Sequence, residues 1–392
     1  MTGLAGPTLS KWAPPKYLDA GERKIAEMPR PQILELDGFR AIAILWVLLL
    51  HFVYGWAPIP PAALSGVPPI VVGAVSHGWL GVDLFFILSG FLITGILVDA
   101  RGRPNYFRNF YARRGLRILP LYLICIAVMA VAYRGQAAFF GLSLLFMANF
   151  AHYFRVGMPH GPGVFWSLAV EEHFYLLWPL LVRFLRRSSL LGLTVVLVLG
   201  TPVLRGYCSY TGMDIVREIY VYSFFRFDGL ALGAILAMWV RSDYYNRKMA
   251  WRFAGLLVGL ALLITLCALP FGVMQAHTVA SCALRSTQAQ FLFAAAIVMA
   301  LAFRGSSYTA FLRSRPARIT AELSFCLYLI HLALGDSYYS ALHAMHFNDI
   351  AHFGIDGAIF VRSLVIGTAA FGLAALSKRF LENPILRLKR YF

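Results

Sequence analysis

Apolar residues run through this chain in stretches about twenty long, separated by short polar segments. A helix needs about 20 apolar residues to cross a hydrocarbon core roughly 30 Å thick. Segments near residues 36–56, 78–99, 118–134, 166–182, 189–204, 219–240, 253–271, 286–303, 319–341 and 357–376 read as spans of that kind. The stretch from Ala137 to Phe150 is also apolar, but it is too short to cross, and counting it would invert every later loop. The expected fold is therefore all-α and polytopic, with about ten transmembrane helices plus one short re-entrant or interfacial helix. Residues 33–392 form one membrane domain in this reading. Residues 1–32 carry Pro7, Pro14, Pro15, Pro29 and Pro31 among mixed charges and read as a cytoplasmic N-terminal arm. The first apolar run starts too late for a secretory signal.

Composition agrees with the periodicity: 59% of residues are apolar and 14% charged, against about a quarter charged in an average soluble domain. A net charge of +17 suggests nucleic acid in a soluble protein. Here the charges sit in short loops between spans, so topology accounts for them and no nucleic-acid partner is expected. Of the 35 Lys and Arg residues, 27 fall on one side of a ten-span arrangement. Arg134, Arg155, Arg205, Arg217 and Arg285 are assigned to the other side, and Arg40, Arg226 and Arg362 to spans or their ends. The positive-inside rule then makes both termini cytoplasmic, in a multi-pass protein of the cell's inner membrane.

Against this apolar background, His51 is the residue that most needs a reason. It ends the run AIAILWVLLL that begins just after Arg40. An ionisable group within a span is a functional-site hypothesis by default. Helical rise separates Arg40 from His51 by roughly 16 Å along the axis, so if Arg40 marks one face, His51 lies near the bilayer middle. That geometry suits chemistry on a group delivered from one side to the other. The ninth span holds His331 at a similar depth, and the fourth reads FWSLAVEEHFYLLWP, with Glu171, Glu172 and His173 in succession. Two mid-membrane histidines and a carboxylate together suggest a shared polar cavity, although a histidine satisfied by a backbone carbonyl is an equal reading of His331.

The segment RGRPNYFRNFYARRGLRILPLY gathers Arg113, Arg114 and Arg117 at the expected start of the third span. Arg114 and Arg117 share a helix face. Two guanidiniums beside the outward amides of a helix start form a polyphosphate clamp. Topogenic charge and lipid headgroup contact are the plainer alternatives. The loop AHYFRVGMPHGPG, rich in Gly, Pro and His, reads as a connector or as an acceptor entrance. The five cysteines lack CxxC spacing; Cys208 and Cys282 fall on one side, and separate thiols are expected. His343, His346 and His352 have no metal-ligand spacing, so no metal site is expected.

Taken in order, the blocks LDGFRAIAILWVLLLH, GWLGVDLFFILSGFLIT, YARRGLRILPLY, FWSLAVEEHFYLLWP, FRFDGLALGA and SFCLYLIHL resemble those of the membrane-bound acyltransferase 3 family, whose members O-acylate sugars and other hydroxyl compounds. The resemblance covers about residues 33 to 388. It implies an acyl-coenzyme A donor, usually acetyl, used as a co-substrate with no tightly bound cofactor. It also implies Arg40, Arg113, Arg114 and Arg117 on the donor side and His51 in catalysis, with Glu171, Glu172 and His331 in support. His173 stands where many members have Gln, and LAL follows His331 where Pro is common, so carry-over at those blocks is weaker.

The chemistry expected is acyl transfer from acyl-coenzyme A to a hydroxyl of a saccharide or related acceptor, on the extracytoplasmic side and among membrane lipids. A neutral imidazole at His51 can accept the hydroxyl proton as oxygen attacks the thioester. Alternatively His51 takes the acyl group itself and passes it on. A transporter or flippase for a glycan or lipid-linked substrate also has buried histidines and carboxylates. It needs no arginines matched to a nucleotide, and no inverted repeat is visible.

Overall fold

The computed structural model describes residues 33–55 and 67–392. The arm expected over residues 1–32 lies outside the described residues. The described chain is helical, with no strand: α1 (Leu34–Tyr54), α2 (Pro69–Ser76), α3 (Leu80–Ala100), α4 (Tyr106–Ala132), α5 (Ala137–Leu144), α6 (Phe165–Phe184), α7 (Arg187–Tyr210), α8 (Phe227–Val240), α9 (Arg247–Ala268), α10 (Val279–Ala302), α11 (Arg315–Ala344), α12 (Asp349–Ser377) and α13 (Asn383–Leu386). Eight of them, α1, α3, α4, α7, α9, α10, α11 and α12, are long and apolar enough to cross a membrane. The two remaining expected spans fall on α6 and α8. Helix α6 has 20 residues but carries Glu171, Glu172 and Arg183, and α8 has only 14.

Local chemistry sets several boundaries. Asn246, Thr278, Ser314 and Asn348 cap the starts of α9, α10, α11 and α12 with side-chain oxygens that accept backbone N–H bonds. Helix α5 is eight residues long, in keeping with a non-crossing segment. The sixth expected span starts later than its apolar pattern suggests. Asp214 caps a π-turn over Ile215–Ile219, a 3-10 turn covers Ser223–Phe225, and regular helix begins only at Phe227.

Among apolar helices in lipid, association rests on close packing more than on the hydrophobic effect. The α3 and α8 backbones approach closely enough that a Cβ on Gly90 would collide with the Leu230 carbonyl, and one on Gly233 with that of Ile87. Leu88, Leu236, Ala254 and Ile297 belong to the core around α3, α8, α9 and α10. A second core, with Tyr122, Phe165, Trp178 and Leu329, lies among α1, α4, α6 and α11.

Within the first of these halves sits a charge network that periodicity does not anticipate. Arg205, assigned by sequence to an outer loop, lies inside α7 with its side chain 2% exposed. Its Nη1 donates to Asp228 Oδ2 at 2.7 Å and its Nη2 to Thr287 Oγ1 at 2.7 Å. Arg226 pairs with Asp83 at 2.9 Å, and Gln290 donates to the same carboxylate oxygen at 2.9 Å. Four buried charges are tolerable at this depth because each finds an opposite partner. They tie α3, α7, α8 and α10 together.

Candidate active site

Helix α1 runs unbroken from Leu34 to Tyr54, so Arg40 and His51 keep the separation expected of a straight helix. Both ends of α1 are fixed. Buried Glu35 accepts the Gly305 amide at 3.0 Å and pairs with Arg313 at 3.3 Å. At the other end, buried Arg362 of α12 donates to the Val53 carbonyl at 3.2 Å and lies over the Tyr339 ring.

His51 and His331 are in direct contact: His51 Nδ1 lies 3.1 Å from His331 Nε2, with ring centroids 4.9 Å apart. Their carbonyl neighbours assign the tautomers. His331 Nδ1 sits 2.8 Å from the Tyr328 carbonyl and 3.2 Å from that of Leu327, so it carries the proton, and Nε2 of the neutral ring is an acceptor. His51 Nδ1 is 2.9 Å from the Val47 carbonyl. It too carries a proton, shared between that carbonyl and His331 Nε2. The basic nitrogen of neutral His51 is therefore Nε2, which makes no hydrogen bond to a described residue. The carbonyl partners expected of a structural His331 are present, and so is the second histidine.

Polar groups extend from this pair in both directions. Ser167 Oγ donates to the Val164 carbonyl, leaving Tyr328 OH to donate to Ser167 at 2.7 Å; the Tyr328 ring lies 5.9 Å from that of His331. Further along, Tyr175 donates to Glu171 Oε2 at 3.1 Å and also meets Ser89. The Arg114 guanidinium lies 5.4 Å from the centre of the Tyr175 ring. Arg40 donates to Ser324 Oγ at 3.4 Å and is within electrostatic reach of Asp37, Glu171, Arg114 and Tyr175. Arg117 pairs with Glu382 at 3.4 Å. On the other side of the histidines, Asp336 accepts from Tyr133 OH at 2.6 Å and pairs with His160 Nδ1 at 2.7 Å. Ser167, Glu171 and Tyr175 follow one another about a turn apart on α6, and Tyr328, His331 and Asp336 do so on α11, as a column of polar side chains with the histidine pair between the arginine cluster and Asp336.

The sequence-based candidates are not equivalent. His51, His331, Glu171, Arg40 and Arg114 all lie along the column. Glu172 Oε1 is buried and has no hydrogen-bond partner among the described residues. His173 turns away and bonds Ser223 Oγ at 2.6 Å. Arg113 faces outward, donating to the Phe392 carbonyl at 3.0 Å. One expectation needs correction. Arg113, Arg114 and Arg117 do not sit at a helix start, because α4 begins at Tyr106, after Asn105 in the left-handed region. The amphipathic run YFRNFYAR continues the helix outward, so the helix-start amides are two turns away and the guanidiniums act alone. Arg114 and Arg117 do share a face, as their spacing requires. Cys208 and Cys282 are both free thiols.

Tyr175, Ser167, Tyr328, Asp336, Tyr133 and His160 do not stand out in the sequence as site residues. Some carry a signal. Tyr175 is four residues after Glu171 and Ser167 four before it, which puts them on the Glu171 face. Tyr133, Asp336 and His160 come from separate elements, and only the fold brings them together.

Residues 33–376 match the acyltransferase 3 family, described as an acyltransferase domain. The chain belongs to that family. Among its relatives, the O-acetyltransferase OatA of Staphylococcus aureus is 27% identical over 93% of this chain and 59% of its own length. The peptidoglycan O-acetyltransferase OatA of Listeria monocytogenes is 29% identical over 55% of this chain and 36% of its own. YrhL of Bacillus subtilis is 32% identical over 52% and 32% respectively. The chain thus spans from about a third to about three fifths of the length of these relatives. No solved structure matches it.

Proposed function

We propose that this protein is a membrane O-acyltransferase that takes an acyl group, acetyl in the first instance, from acyl-coenzyme A on the cytoplasmic side. The acceptor is a hydroxyl of a saccharide or related compound on the extracytoplasmic side. The observation that carries the reading is the His51–His331 pair: its tautomers leave His51 Nε2 as a base, and a polar column joins it to the arginines. Family membership supports acyl transfer, and the names of the OatA relatives support acetyl as the group and a cell-wall glycan as the class of acceptor.

In this mechanism the acceptor O–H bond breaks as its proton passes to His51 Nε2, and the oxygen attacks the thioester carbon. The imidazolium so formed holds its Nδ1 proton against His331 Nε2 and the Val47 carbonyl, which stabilise the new charge. Collapse breaks the C–S bond, and the thiolate takes the proton back from His51. Arg114 and Arg117, with Arg40 deeper along the column and Arg113 at the surface, hold the donor's phosphates. Glu171 orients the Tyr175 hydroxyl beside Arg114, and Glu172 supplies a carboxylate for substrate hydroxyls. The charge bias supports cytoplasmic termini in an inner-membrane protein, with acyl-coenzyme A as a co-substrate and no resident cofactor.

The test is His51→Ala in a strain lacking the chromosomal copy, with O-acetyl groups on extracted glycans counted by mass spectrometry. Loss of the base lowers acetylation by roughly 10²–10⁴-fold, with the variant still monodisperse in detergent. Near-normal acetylation would sink the assignment.

A further inference from the structure

The segment that leads into α6 is fastened to α11 at two points, one on each side of His331. On the Tyr328 side, the tyrosine hydroxyl meets Ser167 Oγ at 2.7 Å, and Ser167 in turn bonds the Val164 carbonyl at 3.3 Å. On the other side, Asp336 receives His160 Nδ1 on Oδ1 at 2.7 Å and the Tyr133 hydroxyl on Oδ2 at 2.6 Å. Both oxygens of one carboxylate are thus engaged by partners from outside its own helix. Gly161 is pressed into the same place: a Cβ there would collide with the Tyr133 hydroxyl, Ala333 Cα and Asp336 Oδ2. Only a residue without a side chain lets the backbone come that near α11.

Between the two fastenings, Pro162, Gly163 and Val164 form a buried 3-10 turn. His331, which the fastenings straddle on α11, is itself fully buried. His160 is within electrostatic reach of both His51 and His331, in keeping with a turn that runs alongside the histidine pair. The segment is therefore held against the reacting end of α11 by side-chain and backbone contacts from α4, α6 and α11 together.

A base that takes a proton from an acceptor hydroxyl can take one from water, so a thioester held beside His51 is open to hydrolysis unless the site keeps water out. In that side reaction a water O–H bond breaks to His51 Nε2 and the oxygen attacks the thioester carbon. The C–S bond then breaks and the thiolate takes the proton back, leaving a carboxylic acid and free coenzyme A. We propose that Asp336 is the positioning residue that suppresses this: by clamping His160 and Gly161 beside Tyr133, it holds the turn over residues 162–164 as a wall that shields the acyl donor from water on the extracytoplasmic side of His51. This rests on the acyl-transfer reading above and deepens it, naming what favours a saccharide hydroxyl over water. A carboxylate suits the position because its two oxygens accept from two donors at once.

The experiment sets two rates against each other. Release of coenzyme A thiol from acetyl-coenzyme A by the full chain in phosphatidylcholine nanodiscs, with no glycan present, reports hydrolysis. The O-acetyl content of glycans from a strain complemented with the same variant reports transfer. Asp336→Ala raises thiol release roughly tenfold, the rate equivalent of one hydrogen bond to a charged group, and lowers glycan acetylation. Gly161→Ala does the same with every polar partner retained, and replaces the aspartate variant if monodispersity is lost. Asp336→Asn, whose amide oxygen still accepts from one of the two donors, falls between. His152→Ala, exposed on the same loop, is neutral. Unchanged hydrolysis in Asp336→Ala and Gly161→Ala, with the wild type acetylating glycans, overturns the proposal. So does a parallel fall in both rates, which would make the clamp a support of the fold only. Absence of glycan acetylation by the wild type would instead remove the acyl-transfer reading itself.

Discussion

Replacing His331 by leucine separates the chemical role of the histidine pair from a packing role. Leucine approximates the volume of the ring, so the buried site stays filled, while the hydrogen bond between His331 Nε2 and His51 Nδ1, 3.1 Å long, is abolished. In the resting enzyme the cost is small, because His51 Nδ1 still donates to the Val47 carbonyl at 2.9 Å. It grows when His51 becomes cationic, since a hydrogen bond to a charged group is worth about 1.5–3 kcal/mol. At tenfold per 1.36 kcal/mol, the rate of transfer falls roughly 10- to 150-fold. Donor affinity is unchanged if, as proposed, the donor's phosphates are held by Arg114 and Arg117 rather than beside the histidines. The assay pairs glycan O-acetyl content over time in a complemented strain with coenzyme A binding to the purified variant. Unaltered turnover would show that His331 is inert, and a parallel fall in donor affinity would show that it only supports the fold.

Other consequences follow from the same geometry. Arg114→Ala and Arg117→Ala weaken binding of acetyl-coenzyme A by roughly tenfold each and leave a pantetheine thioester unaffected; equal losses on both donors would make these arginines purely structural. Asp83→Asn strands Arg226 in the core and costs about 3–5 kcal/mol, seen as loss of monodisperse protein, while the double variant Asp83→Leu with Arg226→Met recovers much of it; tolerance of the single change would refute the pairing argument. For sidedness, cysteines at Gly157 and Asp243, both exposed, are labelled by an impermeant thiol reagent from opposite faces of oriented vesicles in a background without the five native cysteines. Labelling of both from one face would overturn the proposed topology. Gly161 does not suit that experiment, because a Cβ there meets Tyr133, Asp336 and Ala333.

The architecture is legible in the sequence where a single helix decides the matter. Twenty-residue apolar runs locate the membrane helices, and the rise per residue locates His51 relative to Arg40. The amphipathic stretch before Arg113 is harder, since its polar positions resemble a loop, and only continued hydrogen bonding shows that α4 starts at Tyr106. Arg205 reads as a loop residue because hydropathy treats a lone arginine as a boundary. Asp228 and Thr287, which make its burial tolerable, are distant in sequence. The pairing of His51 with His331 is foreshadowed only as a shared cavity. Its tautomers depend on the carbonyls of Val47 and Tyr328, which no side-chain pattern encodes. Tyr133, Asp336 and His160 join three elements, so their meeting is a property of topology alone.

The close seam between α3 and α8 bears on what moves. With carbonyls resting against Gly90 and Gly233 and four charges interlocked behind them, sliding or rocking one helix past the other would drive backbone into backbone and part charges far from water. This half of the bundle is a fixed frame. If the acyl group passes from one face to the other, this half of the bundle stays a stationary wall, and any rearrangement that accompanies transfer falls to the helices on the histidine side.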